Sequence, residues 1–334
     1  MTQEPTTIPA PELEGGTWLF SEPLTIAALR GRPVLIDFWD YTCINCLRSL
    51  PYLREWHRRY SPHGLVIIGV HAPEFSFAKS EDHVRRAVQE LGIEYPVVLD
   101  NDFKIWRAYA NQYWPAKYLV DAKGNLRYYH HGEGAYAEGE TALQTLLMEV
   151  KPELSLPPVL EPVRDSDAPG TVCYRVTPEL YLGYQRGRPG NVAGLAPDRP
   201  VAYRDPVKHA EGFFYLEGPW LLAGEYVARP VGGEGESRLS LRYMAKEVNL
   251  IMHPPLTGET AVLRLLQDGA PLAPEDSGED VRREKGEAVV AVDRPRMYHL
   301  VSNRELDGRE LTLLTTSDGL ALYAFTFASC VIPE

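Results

Sequence analysis

The apolar positions of the chain change period as it proceeds. Pro33-Val-Leu-Ile-Asp-Phe-Trp39 is a nearly unbroken apolar run of strand length, and Leu47, Leu50, Leu53 and Trp56 then recur at helical spacing. Leu65 to Val70 is a second apolar run, as expected of a strand covered on both faces. Glu81 to Leu91 returns to helical spacing and stops at Gly92, a residue suited to a helix C-cap. Tyr95 to Leu99 reads as a strand and Phe103 to Ala110 as a short helix. Lys117 to Val120 and Leu126 to His130 read as a hairpin around Lys123-Gly-Asn125, and Thr141 to Val150 as a closing helix. Ahead of these, Thr17 to Phe20 suggests a strand and Ile26 to Leu29 a short helix. Strands alternating with helices, then a hairpin and a helix, predict an α/β sandwich.

Beyond Lys151 the pattern stops. Pro152, Pro157, Pro158, Pro162 and Pro169 break any regular element, which predicts a linker or strap over 152–170. From Thr171 to the end, short strand-like runs follow one another between turn residues, from Val172–Val176 to Leu320–Phe327. Helical periodicity is nearly absent. That texture predicts an all-β sandwich, of jelly-roll type, over 171–334. Residues 1–14, polar and Pro-rich, are expected to be a flexible arm, which leaves 15–151 as the α/β domain.

Composition narrows the function classes. With 34 basic and 46 acidic residues the 334-residue chain carries a net charge of −12, which argues against nucleic acid or an anionic membrane surface as partner. No apolar run is long enough to span a bilayer. Met1-Thr-Gln-Glu-Pro-Thr-Thr7 has neither the basic region nor the apolar core of a signal peptide. The sequence as given is therefore expected in the cytoplasm, or outside it if a targeting segment precedes this stretch. Four cysteines are too few for a disulfide-built fold. Cys173 and Cys330 fall near the two ends of the β domain. Two independent buried thiols is the favoured expectation for them, and a bridge between them the other.

Cys43-Ile-Asn-Cys46 carries the candidate chemistry. The pair falls between a predicted strand and a predicted helix, so Cys43 faces the positive end of the helix dipole, which stabilises a thiolate. Cys43 is the expected nucleophile in disulfide exchange and Cys46 the resolving thiol. A structural zinc half-site is the alternative, but the second Cys/His pair it needs is not in the sequence. Two inert buried cysteines is another. A peroxide-reducing arrangement would place a proline where Trp39 stands. His71 and the adjacent His130 and His131 invite a metal, yet neighbours on a strand point to opposite faces and chelate poorly, so no metal is expected. No cofactor is expected beyond the redox-active pair itself.

Asp37-Phe-Trp-Asp-Tyr-Thr-Cys-Ile-Asn-Cys46 resembles the strand and active-site segment of thioredoxin-fold proteins. Tyr113-Trp-Pro-Ala-Lys-Tyr-Leu-Val-Asp121 resembles the cis-proline segment of their TlpA-like branch. Tyr95-Pro-Val-Val-Leu-Asp-Asn101, Gly132-Glu-Gly-Ala-Tyr136 and Thr177-Pro-Glu-Leu-Tyr-Leu-Gly183 are similar to the C-terminal region of DipZ-type proteins, where a thioredoxin-like domain is joined to a β-sandwich resembling a carbohydrate-binding module. Ile44-Asn45 and Thr42 depart from thioredoxin itself, so its redox potential does not carry over.

The resemblance implies a thiol-disulfide oxidoreductase acting on protein disulfides or dithiols, with an electron donor or acceptor left unidentified. It implies that Asp37 is the buried acid exchanging a proton with the resolving cysteine, a task that a raised carboxyl pKa suits. It makes Pro115 a cis-proline packed against the cysteines, with Trp114 on the substrate-facing rim; Trp39 and Tyr41 are candidates to line the same surface, although aromatics near a strand end are more often core. A glycan on the β domain would stack on Tyr181, Tyr184, Phe213, Phe214, Tyr215 and Trp220, although aromatics in a sandwich are more often core. The rival reading is a glycan- or partner-binding protein in which the redox centre is secondary.

Overall fold

The computed structural model describes residues 8–191 and 194–331, the last two by their backbone alone. Its contacts divide the chain into two units, the first running to Asp167 and the second from Ala168.

The first unit is built on one sheet of seven strands: β1 (Ile8–Pro9), β2 (Thr17–Leu19), β3 (Val34–Trp39), β4 (Val66–His71), β5 (Val97–Leu99), β6 (Ala116–Val120) and β7 (Asn125–His131). Their order is β1-β7-β6-β3-β4-β5-β2, with β3, β4 and β5 parallel and the remaining neighbours antiparallel. Four helices accompany them: α1 (Ile44–Tyr60), α2 (Glu81–Glu90), α3 (Lys104–Ala108) and α4 (Tyr136–Val150). Alternation along β3 feeds both faces of the sheet. Leu35 and Trp39 join Leu50, Leu53 and Trp56 of α1 and Leu143 and Leu147 of α4, while Val34, Ile36 and Phe38 join Ile105 and Trp106 of α3. A strand covered on both faces must be apolar throughout, which is why β3 and β4 read as continuous runs.

Three expectations differ from the structure. Residues 8–14 are not a loose arm: Ile8 and Pro9 pair with Leu126 and Asn125, Leu13 is buried, and the Glu12 carboxylate accepts the main-chain N–H groups of Ile26 and Ala27. Residues 1–7 lie outside the described residues. The helix expected at Ile26–Leu29 is a series of turns, and α4 begins five residues before Thr141. The Pro-rich stretch is not a bare linker. Leu154, Leu156 and Leu160 pack on the core shared by α1 and α4. The carbonyls of Pro157 and Pro158 accept from Gln144 and Arg59, and Leu160 N–H donates to the buried Glu140 carboxylate at 3.0 Å. Further on, the Tyr52 hydroxyl accepts from Val163 N–H and donates to Asp167, at 2.8 and 2.7 Å. Proline forbids helix and sheet here, but its carbonyls remain good acceptors, so the strap satisfies its backbone with α1 and α4 side chains.

The second unit contains the strands β8 (Val172–Cys173), β9 (Leu180–Tyr181), β10 (Pro200–Tyr203), β11 (Phe214–Leu222), β12 (Val227–Ala228), β13 (Ser237–His253), β14 (Ala261–Gln267), β15 (Ala270–Pro271), β16 (Arg282–Glu284), β17 (Glu287–Val292), β18 (Arg296–Thr315), β19 (Ala321–Ala328) and β20 (Cys330–Val331). Instead of two detached sheets, eleven of these strands form one hydrogen-bonded sheet around a single core. The long strands make this possible. β13 pairs with β18 along most of its length, but on its other edge it pairs with β11 over Arg238–Leu241 and with β19 over Glu247–His253. The change of neighbour coincides with a bulge between Ala245 and Glu247, the device by which a strand bends from one layer into the next.

Cys173 is exposed and disulfide-bonded, so the favoured expectation of two independent buried thiols does not hold for it. In the β8–β20 pair it stands directly opposite Cys330, whose side chain lies outside the described residues. Among the six aromatics considered for a glycan, Phe214, Tyr215 and Trp220 are buried, and Tyr181 lies beneath the Arg186 guanidinium at 3.5 Å. No helix among the described residues is long and apolar enough to cross a membrane.

The strap yields a stability prediction. Tyr52→Phe keeps the ring stacked on Tyr136, centroids 3.6 Å apart, but strands Val163 N–H and leaves the Asp167 carboxylate to Arg164. The expected loss is about 2 kcal/mol in urea unfolding. An unchanged midpoint would show that the strap adds nothing to the first unit.

Candidate functional site

Strand β3 ends at the site and α1 begins there. Between them the chain turns through Asp40–Cys43, with Cys43 N–H donating to the Asp40 carbonyl at 3.2 Å. Cys43 is the N-cap of α1, its backbone extended at φ −82 and ψ 115, and its Sγ accepts the N–H of Cys46 at 3.2 Å. Sulfur occupies the place where a hydroxyl or carboxylate oxygen usually satisfies a first-turn donor. There is no acidic residue in the first turn of α1, so the dipole at its N-terminus acts on Cys43 alone. Both thiols are free; Cys43 is 9 % exposed and Cys46 is fully buried. Burial pushes the Cys46 thiol well above its ordinary range. Its hydrogen bond with Cys43 and the charges of Cys43 and Asp37 push the same way, while the Asp40 main-chain N–H pulls back.

Asp37 lies on the α1 face of β3, between Leu35 and Trp39, and is wholly buried. Burial raises its carboxyl to about 6, against the pull of Lys117. Lys117 stands directly across the ladder on β6, with Nζ 3.6 Å from Asp37 Oδ1. On the opposite side Asp37 pairs in register with Gly69. A Cβ at Gly69 would come within 3.0 Å of Trp39 Nε1 and 3.3 Å of the Tyr95 ring, so only glycine leaves room for both. Asp37 and Lys117 are thus an ion pair set among apolar and aromatic groups, with no further hydrogen-bond partner for either among the described residues. Such a pair retains a titratable carboxyl because neither charge is fully solvated.

The Trp114–Pro115 bond is cis, and Pro115 is buried. The β3–β6 register runs Asp37 to Lys117 and Phe38 to Ala116, which brings Pro115 in line with the end of β3 where the cysteine turn begins. The Pro115 carbonyl accepts Gly132 N–H at 2.7 Å. Trp114 is half-buried, stacks obliquely on Trp106 at 4.3 Å, and donates its indole N–H to the Ala72 carbonyl at 2.9 Å. The expectation that Trp39 and Tyr41 line the accessible surface is not met. Trp39 is fully buried and packs edge-on against His71, and Tyr41, 4 % exposed, stacks on the same ring. They form the floor of the site because the end of β3 is still covered by α1.

His130 and His131 do not converge: His131 Nε2 lies 3.1 Å from the Tyr118 hydroxyl, and His130 Nε2 meets the Glu133 carbonyl. Among the described residues no three His, Cys, Asp or Glu side chains gather as a metal site. Two residues beside the site were missed in the sequence. Lys117 is a lone cation inside the apolar Ala116–Val120 strand, which was its available signal. Asp40 was given no role in the sequence reading, and the fold shows its carboxyl to be buried.

Residues 7–129 match the AhpC/TSA family and residues 177–328 match the thioredoxin-like C-terminal domain family. DipZ of Mycobacterium tuberculosis is 35 % identical over 322 residues, covering 95 % of this chain but only 42 % of that protein. The thiol-disulfide oxidoreductase YkuV of Bacillus subtilis is 28 % identical over 144 residues, 43 % of this chain and 97 % of the relative. A crystal structure of a thiol-disulfide isomerase from Corynebacterium glutamicum is 25 % identical with a TM-score of 0.37, covering 41 % of this chain and 96 % of its own.

With Cys46 sealed and protonated, an alkylating reagent offered to the reduced protein at about pH 7 should modify Cys43 first. Mass spectrometry of the peptide holding both residues reads the order, and earlier labelling of Cys46 would reverse their roles.

Proposed function

We propose that this chain is a thioredoxin-like thiol-disulfide oxidoreductase that exchanges disulfides with protein substrates through Cys43 and Cys46. The observation that carries this is the placement of Cys43 as the cap of α1, with its sulfur accepting the Cys46 N–H. That contact sets the Cys43 sulfur against the first-turn N–H groups of α1, beside the thiol that would resolve its mixed disulfide.

In the reducing direction the Cys43 thiolate attacks one sulfur of the substrate disulfide. A Cys43–substrate bond forms, the substrate S–S bond breaks, and the first substrate sulfur leaves with the electron pair and takes a proton from solvent. Cys46 then gives its proton to Asp37 and attacks Cys43 Sγ. The second substrate thiol departs, and the protein is left with a Cys43–Cys46 disulfide. An external dithiol returns the two electrons. Cys46 needs a base because burial holds its thiol protonated, and Asp37 qualifies because it is buried on the same face with a carboxyl near 6. Lys117 keeps that carboxyl from rising further. Run backwards, the same steps oxidise a dithiol.

The reading is tested by replacing Cys46 with Ser, which should stall the reaction as a mixed disulfide at Cys43 visible on a non-reducing gel. Absence of any trapped adduct with a protein disulfide would refute it.

The carboxyl supplies a pH test. Asp37 must be ionised to receive the proton, so turnover should rise as pH climbs through about 6. Asp37→Asn should remove that limb and slow turnover by about 10²-fold. Lys117→Met takes away the charge that lowers Asp37 and should move the limb to higher pH. A limb that stays in place in both variants would exclude Asp37 as the base.

A further inference from the structure

The loop after β4, residues 72–75, is bonded to both halves of the redox site. Ala72 N–H donates to the Trp39 carbonyl at 3.0 Å, and its carbonyl accepts the indole N–H of Trp114, the residue before Pro115, at 2.9 Å. Glu74 N–H donates to Asp40 Oδ2 at 2.6 Å. The other oxygen, Oδ1, accepts the main-chain N–H of Thr42 at 2.7 Å and its hydroxyl at 2.8 Å. Asp40 also reaches the cysteine turn through its backbone, where its carbonyl accepts Cys43 N–H at 3.2 Å. One fully buried residue therefore joins the cysteine turn to the neighbouring loop.

The surroundings give Asp40 little else to do. Burial raises its carboxyl, and the Thr42 and Glu74 hydrogen bonds oppose that rise. His71 has Nε2 4.0 Å from Oδ1, but burial holds the ring neutral, with its pKa near 3. Among the described residues no charged cation pairs with Asp40, and its carboxylate contacts are donors in the backbone or in Thr42. A carboxylate aimed only at donors on two loops holds those loops together. Behind it, Phe75 is buried and stacked on Phe77 at 5.9 Å, and Phe77 meets Tyr41 edge-on at 6.4 Å, which makes the loop a firm aromatic wall.

We propose that Asp40 is a positioning residue of the redox site, clamping the loop 72–75 to the cysteine turn so that a protein disulfide meets a preformed surface. The proposal rests on the oxidoreductase reading and deepens it. A small disulfide needs only access to Cys43 Sγ. A disulfide embedded in a polypeptide must also fit its flanking chain between the cysteine turn and the Trp114–Pro115 segment, both of which the loop holds in register.

The test compares Asp40→Ala and the milder Asp40→Asn with the unaltered full chain, using insulin as the protein disulfide and oxidised glutathione as the small one. Asp40→Ala should raise KM for insulin about tenfold with kcat within about threefold, and change the glutathione rate by no more than about twofold. Asp40→Asn, which keeps one acceptor oxygen, should fall between. Amide hydrogen exchange supplies the second measurement: the Glu74 amide should exchange faster in Asp40→Ala while the amides of β4 stay protected, showing an intact fold. Equal losses on both substrates, no loss on either, or an unchanged Glu74 amide would overturn the clamp. Failure of the unaltered protein to reduce either substrate would instead overturn the oxidoreductase reading, and the Glu74 amide would still report on the clamp.

Discussion

The site depends on one hydrogen bond, the Cys46 N–H donating to Cys43 Sγ. A helix that starts at the end of a buried strand exposes its first N–H groups inside the protein, where each needs an acceptor. Filling that requirement with sulfur makes the structural need of the helix and the chemical need of the thiol the same contact. The extended backbone of Cys43, the turn at Asp40–Thr42 and the burial of Cys46 one turn deeper all serve this geometry. A serine at the cap would build the same helix and remove the sulfur on which the proposed exchange rests.

Buried charge is the second organising feature. Asp37 and Lys117 face each other across β3 and β6 with no other polar partner among the described residues, and Gly69 makes room for the aromatic side chains around them. Apolar residues of similar volume would be no less stable in such a place, which accords with the proton transfer proposed for Asp37. Asp40 is buried by a different logic, held by donors and not by a cation. The two acids lie three residues apart on one chain segment, one at the sheet and one in the turn.

Much of the first unit was legible because its period is strong. Residues 34–39 and 65–70 are apolar for the reason that two layers cover them, and the spacing of Leu47, Leu50, Leu53 and Trp56 admits one helical face. The position of Cys43 and Cys46 at a strand-to-helix junction was legible from order along the chain, and Asp37 was singled out by the resemblance to thioredoxin-fold proteins. Lys117 and Asp40 were not, because their roles come from a ladder partner 80 residues away and from a loop that only the fold brings near. Composition misled at residues 8–14 and in the strap, where polar and proline-rich segments are ordered by side chains elsewhere in the unit. In the second unit short strand-like runs were visible, but not that β13 and β18 would merge several of them by bending at bulges.

The strap also bears on how such two-domain chains can be recombined. A boundary drawn where regular structure ends, after Val150, would pass through the middle of a packed element. It would leave Leu154, Leu156 and Leu160 on the wrong side of the cut and the Glu140 carboxylate without its Leu160 donor. The joint at which the first unit stays whole lies after Asp167, where the contacts divide. A gene fusion exchanging the second unit for another module would keep the redox domain intact only if it inherited all seventeen residues of 151–167, so the strap behaves as the domain's own terminal element and sets the unit of inheritance.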